Sequence, residues 1–345
     1  MKVYYYDSRN VGQIYKEWKS GRMPGHFLFG ATHLHKHGVD VIIHQHRAFK
    51  NKFRLALYTL MEIFSCREEI DAIYATSQAG LELVMLLRAL RIMRHPVILW
   101  QKEPLTSGSL WDRLLLKGVD YMLFYSNAIM DVSVRNGLAN PAKSQVVHWG
   151  ADLDFYDKIM FSAGNVEHKG YISTGKEKRD MASIVRAFSA TGQPLEIHVA
   201  YKAYGDNYLQ ILNDLRPSSN VHVNFVNGMI PGELAQKVWT AKCVVIALQE
   251  TNYATGLTTL IEAMALGLPV MCTKNPNLPI DVEEEGIGVS LPYYNSDAWE
   301  AVIRDFAEHP ERLTEMGKKS RLLADLRYNL DNCTKELAKV FMQFR

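Results

Sequence analysis

The stretch GYISTGKEKRD, Gly170 to Asp180, gathers Gly175, Lys176, Lys178 and Arg179 directly after an apolar run and before a helical pattern over Met181 to Phe188. Small backbone, positive charge and a helix start suit a phosphate group, because the first amides of a helix and the positive end of its dipole attract anions. The spacing comes within one residue of the phosphate-loop pattern G-x-x-x-x-G-K-[ST], whose last hydroxyl meets Mg²⁺. Glu177 holds that place here, and a carboxylate repels a polyphosphate. Tyr171-Ile172-Ser173 also reads as the strand itself, which leaves Gly170 before it rather than in the loop. Both points argue against a nucleoside triphosphatase. A grip on a diphosphate remains, beside the plainer reading of an αβ turn with solvated lysines.

The elements that would position these residues alternate along the whole chain. Apolar runs at KVYYY, VDVIIH, DAIYAT, HPVILW, DYMLFYS and SQVVHW are separated by helical patterns over 27–36, 53–65, 81–93, 110–117 and 128–135. This order predicts a doubly wound parallel sheet. The pattern restarts with KGYIST, LEIHVAY, NVHVNFV, CVVIAL, LPVMCT and GVSL, with helices over 181–188, 208–215, 232–240 and 258–266 between them. The break falls near 152–169, polar and without a strand pattern. The expected organisation is an α/β protein with two Rossmann-like domains, 1–155 and 165–329, a helix over about 330–345 packing back on the first. Ligands in such sheets lie at the carboxyl ends of strands, and no G-x-G-x-x-G follows any strand, against a dinucleotide dehydrogenase.

A length of 345 residues, 48% apolar and 22% charged, suits two globular domains. No apolar run approaches the roughly 20 residues of a membrane span. The opening MKVYYYDSRN reads as a strand rather than a signal peptide. Cys66, Cys243, Cys272 and Cys333 lie far apart without C-x-x-C, which points to reduced thiols and a cytoplasmic protein. The net charge of +2 conceals an asymmetry: residues 1–150 carry 19 Lys and Arg against 12 Asp and Glu. An anionic partner of the first half follows, a membrane surface or lipid phosphate rather than nucleic acid, for which no module is present.

The segment GLTTLIEAMALGLPV, Gly256 to Val270, resembles the donor-site signature of family 4 retaining glycosyltransferases, which have the GT-B fold. The resemblance extends through GELAQKVWTAKCVVIAL before it and HPERLTEMGKKSR after it, covers most of 170–325, and touches the first half only loosely. It implies a donor site for a nucleotide sugar, UDP- or GDP-linked. Glu262 matches the carboxylate that accepts hydrogen bonds from the two ribose hydroxyls. Gly256 lets the backbone approach the diphosphate, and the amides around Leu257, Thr258 and Thr259 open a helix toward it. The family places two cations after the first strand of the second domain. Arg179 takes one position, usually a lysine; Thr174 occupies the other, and Lys176 is the substitute candidate beside Gly175. Asn227-Gly228-Met229 matches the loop that meets the base. The resemblance implies no metal and no cofactor, since the cations fill a divalent ion's role.

Two departures bear on the sugar. The family's second Glu, eight residues before Glu262, is Ala254 here, with Glu250, Asn252 and Thr255 as nearby polar groups. After VILW the family's usual His is replaced by Gln101-Lys102-Glu103-Pro104, making Lys102 and Glu103 candidates for sugar or acceptor contact. Gly25 and His26, in the Gly/Pro-rich loop before FLFG, are candidates to face the acceptor or diphosphate. His33, His35, His37, His44 and His46 lack the interleaved acids and shared face of a metal site. The implied activity is transfer of a sugar, with retention, to a glycan or lipid-linked acceptor, by a cytoplasmic enzyme with peripheral contact to the inner face of an anionic membrane. A nucleotide-sugar epimerase of the same fold and a catalytically degenerate partner subunit are the alternatives.

Overall fold

The computed structural model describes every residue except Ser107, Asn165 and 227–230. The chain folds as two units, Met1–Gly150 with Leu330–Arg345, and Ala151–Asn329.

The first unit runs β1 (Lys2–Tyr6), α1 (Val11–Lys19), β2 (Asp40–Ile43), α2 (Lys52–Ser65), β3 (Ala72–Ala75), α3 (Glu82–Ala89), β4 (Val97–Gln101), α4 (Leu110–Leu116), β5 (Tyr121–Phe124), α5 (Asn127–Arg135) and β6 (Ser144–Val146). Its strands form one parallel sheet in the order β2-β1-β3-β4-β5-β6. Helices on both faces bury the strands, so they read as continuous apolar runs. Two fully buried tyrosines of this core pair their hydroxyls: Tyr6 donates to the Ala79 carbonyl and Tyr74 to that of Phe29, both at 2.7 Å. That pairing avoids the cost of an unsatisfied buried hydroxyl.

Two local expectations fail here. The helix expected over 27–36 is replaced by two short 3₁₀ turns, Gly25–Leu28 and Leu34–His37. Between them Phe29 and Gly30 have φ of 50° and 85°, a left-handed pair no α-helix contains. Close packing explains the break, since a Cβ at Gly30 would lie 2.7 Å from Leu337. Helix α1, missed because VGQIYKEWK is largely polar, starts where the Asn10 side chain accepts from the Gln13 amide.

The second unit runs α6 (Leu153–Ala163), β7 (Tyr171–Thr174), α7 (Met181–Thr191), β8 (Leu195–Val199), the short hairpin β9 (Lys202–Ala203) and β10 (Asp206–Asn207), α8 (Tyr208–Leu215), β11 (Val221–Phe225), α9 (Pro231–Trp239), β12 (Cys243–Ile246), α10 (Leu257–Ala265), β13 (Val270–Thr273), β14 (Gly288–Leu291), α11 (Ser296–Glu308) and α12 (Glu311–Leu326). Its parallel sheet has the order β11-β8-β7-β12-β13-β14. The stretch read as a polar break is α6, capped by the Asp152 carboxylate accepting from the Phe155 amide. After Asn329 the chain returns to the first unit as α13 (Leu330–Phe341). There Glu336 accepts from the His148 amide at 2.9 Å, and Phe341 packs edge-on against Tyr74 at 5.2 Å. The four cysteines are unpaired.

Candidate active site

In the second sheet the connection order reverses between β7 and β12, and the crevice at the carboxyl ends of such a strand pair is where doubly wound sheets bind ligands. The loop after β7 carries Gly175 to Asp180, and the loop after β12 runs to Gly256 and opens α10. An antiparallel bridge between Arg179 and Leu248 ties the two loops together.

Arg179 is the centre of this crevice and is only 4% exposed. Its backbone amide donates to the Tyr208 hydroxyl at 3.0 Å, its Nε to the Thr174 carbonyl at 3.1 Å, and its Nη2 to the Thr259 hydroxyl at 3.0 Å. Its Nη1 is buried without a hydrogen-bond partner among the described residues. Burial pushes the guanidinium down from its usual range, and Tyr208, Cys272, Glu177 and Glu262 act against that. Arginine titrates so high that it stays charged. A buried cation thus stands at the first turn of α10, touched by neutral acceptors.

Two glycines make this geometry possible. Gly175 has φ of 98°, and a Cβ there would overlap the Arg179 guanidinium, reaching 2.8 Å from Cζ. Gly256, with φ of 93°, caps α10 without a side-chain hydrogen bond, and a Cβ would meet Ile246 and Leu248 at 3.1 Å. The backbone therefore enters α10 bare. Thr255 is buried, its hydroxyl 2.8 Å from that of Thr251. The Asn275 amide donates to the carbonyls of Tyr253 and Thr255, clamping the loop from the end of β13.

The remaining cations divide. Lys176 is exposed, with no ion pair among the described residues. Lys178 is diverted to Asp206 at 3.4 Å, and Glu177, the residue that spoils the phosphate-loop pattern, accepts from the Tyr253 hydroxyl at 3.0 Å. Glu262 lies half-buried one turn below Thr258 and Thr259. The fully buried phenol of Tyr156 on α6 is its neighbour: burial, then the Glu262 carboxylate and its hydrogen bond, push that phenol far above its ordinary range. Of the polar residues near Ala254, Glu250 and Asn252 are exposed. Asn227, Gly228 and Met229 lie outside the described residues.

In the first unit the reversal falls between β1 and β3, and a second charged constellation sits there. Asp7, 1% exposed, accepts from Arg9 Nε at 3.0 Å and Nη2 at 2.9 Å and from the Thr76 hydroxyl at 2.6 Å. Lys102 reaches the same carboxylate at 3.6 Å and lies over the Phe29 ring. Burial alone would raise the Asp7 carboxyl, but Arg9, Lys102 and Thr76 hold it below the usual range. Burial lowers Lys102, opposed by Asp7. Glu103 is exposed, its carbonyl accepting from Gln101. Gly25 and His26 are buried in the first 3₁₀ turn, where the His26 ring packs on Phe27 and edge-on to Trp149.

Sequence reasoning missed Asp7, Arg9, Tyr156, Tyr208 and Asn275. Asp7 and Asn275 had a readable signal, a polar residue just beyond the carboxyl end of a buried strand. The two tyrosines had none, because they reach the site from other elements.

Residues 213–323 match the model of the family described as Glycosyl transferases group 1. An 88-residue stretch, 26% of this chain, is 33% identical to D-inositol 3-phosphate glycosyltransferase of Segniliparus rotundus, of whose length it spans 19%. Among solved structures, sucrose-phosphate synthase of Thermosynechococcus elongatus superposes with a TM-score of 0.73 at 13% identity, covering 99% of this chain and 98% of that one. Anabaena HepE in complex with UDP-glucose superposes at 0.67 and 16% identity, covering 99% and 100%. The architecture, two Rossmann-like units each built on a parallel sheet, is the GT-B fold.

Proposed function

We propose that this chain transfers a sugar from a UDP- or GDP-linked donor to an acceptor hydroxyl, with retention, the acceptor being a glycan or lipid-linked precursor. The observation that carries this reading is the buried Arg179 guanidinium at the uncapped start of α10, with Glu262 on the same helix. A diphosphate supplies the anion that such a cation and helix end favour, and the Glu262 carboxylate can accept two ribose hydroxyls while Tyr156 holds it in place. The complex of HepE with UDP-glucose favours uridine as the base.

In the reaction the bond from the anomeric carbon to the diphosphate oxygen breaks. The acceptor oxygen bonds to that carbon on the same face, and the leaving phosphate helps take the acceptor proton. Charge then grows on the phosphate, so Arg179 and Lys176 stabilise the transition state more than the bound donor. In the first unit Lys102 is engaged by Asp7, which makes it a positioning residue; Glu103 is the exposed carboxylate left to meet a sugar or acceptor hydroxyl. His26, being fully buried, shapes its loop. The protein works in the cytoplasm, against the inner membrane face. No helix among the described residues is long and apolar enough to cross a membrane.

The test is a melting-temperature screen of UDP-, GDP- and ADP-sugars, followed by transfer of label from the stabilising donor to glycan and lipid acceptors. A ligand at 100 times its Kd adds about 2.7 kcal/mol, readily seen. Conversion of the nucleotide sugar without acceptor would assign an epimerase instead, and no stabilisation by any donor a noncatalytic subunit.

A further inference from the structure

The second unit holds a cavity of about 620 Å³ at the opposite end of its sheet from the Arg179 crevice. Lys242 and Pro269, which line it, come just before β12 and β13, at the amino ends of those strands. Met160 of α6, Leu313 of α12, and Leu266, Leu268 and Pro269 between α10 and β13 make most of the wall apolar. Helix α10 runs from one place to the other, and its nine residues set cavity and crevice roughly 13 Å apart.

The walls are fixed by contacts of their own. Gly317 lets α12 close on the turn after α10, since a Cβ there would lie 2.6 Å from the Gly267 carbonyl oxygen. Arg321 Nη1 donates to the Ala265 carbonyl at 2.8 Å and to Asp157 at 2.6 Å, tying α12 to the end of α10 and to α6. That guanidinium is thereby engaged, and Lys318 is paired with Glu315 at 2.7 Å. Trp239 and Lys242 differ. The Trp239 indole N–H is buried with no hydrogen-bond partner among the described residues. Lys242, half-buried, has its ammonium over the Tyr171 ring and no ion pair among them, and burial pushes it down from its usual range. Beside them His168 Nδ1 donates to the Ala241 carbonyl at 3.1 Å, and its ring meets that of Trp239 at 87°, a corner of two flat walls.

We infer that this cavity binds a small molecule with a flat apolar ring and a carboxylate, the carboxylate lying at Trp239 and Lys242. An indole N–H and an ammonium can only donate, so the ligand must bring the acceptors. The charge of Lys242 favours an anion, and an acceptor that reaches the indole removes the cost of an unmade buried hydrogen bond. A mostly apolar pocket with a few convergent polar groups is the usual build of a small-molecule site. A nucleotide suits it poorly, because Asp157, the carboxylate in the wall, is engaged by Arg321 and is not free for ribose hydroxyls. Binding here requires no nucleotide sugar, so a failed test leaves the proposed function standing.

The experiment is a ligand-observed NMR titration of the full chain with 2-naphthoate, and with 2-naphthamide as its uncharged counterpart. The expected result for the carboxylate is a dissociation constant below about 1 mM, within reach of a ligand of that size, and unchanged by UDP. The amide should bind about threefold more weakly, the scale of one part-exposed ion pair. Trp239→Phe keeps a ring and removes the donor, and should weaken 2-naphthoate by roughly tenfold or more. Thr314→Trp, at an exposed position lining the cavity, should block it and abolish binding with an unchanged melting temperature. No binding by wild type overturns the proposal, as does an affinity that neither substitution lowers. Displacement of the probe by UDP would put it in the donor crevice, and equal affinity for amide and carboxylate would remove the anion from the site; either result also overturns the proposal.

Discussion

Arg179 Nη2 and the Thr259 hydroxyl are 3.0 Å apart, a single hydrogen bond that joins the loop after β7 to the first turn of α10. The cation is thereby fixed to the helix whose amides share its task. Arg179→Lys keeps the charge but loses the planar fork that reaches Thr174 and Thr259 together. We expect kcat to fall by roughly 10² for Arg179→Ala, the scale of losing one preorganised group that meets developing charge, and the lysine variant to recover part of it. Donor-dependence curves with one acceptor measure this, and an unaltered kcat in the alanine variant removes Arg179 from the mechanism.

Glu262→Ala should weaken binding of the free nucleoside diphosphate by a factor of roughly 150 or more, the loss of two hydrogen bonds to a charged group at ~1.5–3 kcal/mol each. Tyr156→Phe leaves the carboxylate and removes only its neighbour's hydroxyl, so its effect should be smaller. Calorimetric titration of both variants decides; equal affinity in Glu262→Ala and wild type ends the ribose assignment.

Transfer should persist in excess EDTA, because Lys176, Arg179 and the start of α10 supply the positive charge at the diphosphate. Activity abolished by chelator and restored by Mg²⁺ or Mn²⁺ would show that these groups do not suffice.

Gly175→Ala should abolish donor binding at a modest cost in stability. The left-handed backbone costs about 1 kcal/mol for an alanine, and the added methyl must displace the Arg179 guanidinium. Nucleotide affinity falling far more than the melting temperature is the expected pattern; a variant that binds like wild type would mean that Arg179 sits elsewhere when the donor is present.

His44 gives the first unit a pH dependence. Its imidazole is buried 2.8 Å from the Tyr4 hydroxyl, and burial, then His46, push it down to about 4. A depressed histidine contributes stability above its unfolded value near 6.5 and loses it as pH falls toward 4. Between pH 7 and 5 this amounts to about 2 kcal/mol. Urea midpoints of wild type should drop across that interval and those of His44→Gln should drop less; parallel curves would show that His44 titrates normally.

The sequence carried the sheets and the second-unit site further than the first-unit loops. Strands buried on both faces announce themselves as apolar runs, and Gly175, Arg179, Gly256 and Glu262 stand out because a glycine or a charge breaks such a run at the carboxyl end of a strand or inside a helix. The region 25–38 misled because FLFGATHLHK has a helical spacing of apolar residues, while the contact of Gly30 with Leu337, three hundred residues away, sets its backbone. Tyr156 and Tyr208 were invisible for the same reason: which side chain from a neighbouring helix reaches a carboxylate or an amide is decided by packing. Asp7 and Arg9 were passed over because YYYDSRN reads as a strand followed by a solvated turn, whereas Thr76 and Lys102 close over the carboxylate.

The passage of the chain out of the first unit at Gly150 and back at Leu330 has a consequence for synthesis on the ribosome. Ala151 and Asn329 pair as a parallel bridge, so the second unit is a closed insertion whose two ends meet. It has all of its strands and helices once Asn329 emerges. The first unit, although made first, lacks α13 until then, and with it Leu337 against Gly30, Phe341 against Tyr74 and Glu336 on His148. The half translated earliest therefore matures last, and a chain ending shortly before Leu330 would carry every strand and helix of the second unit beside a first unit that lacks α13.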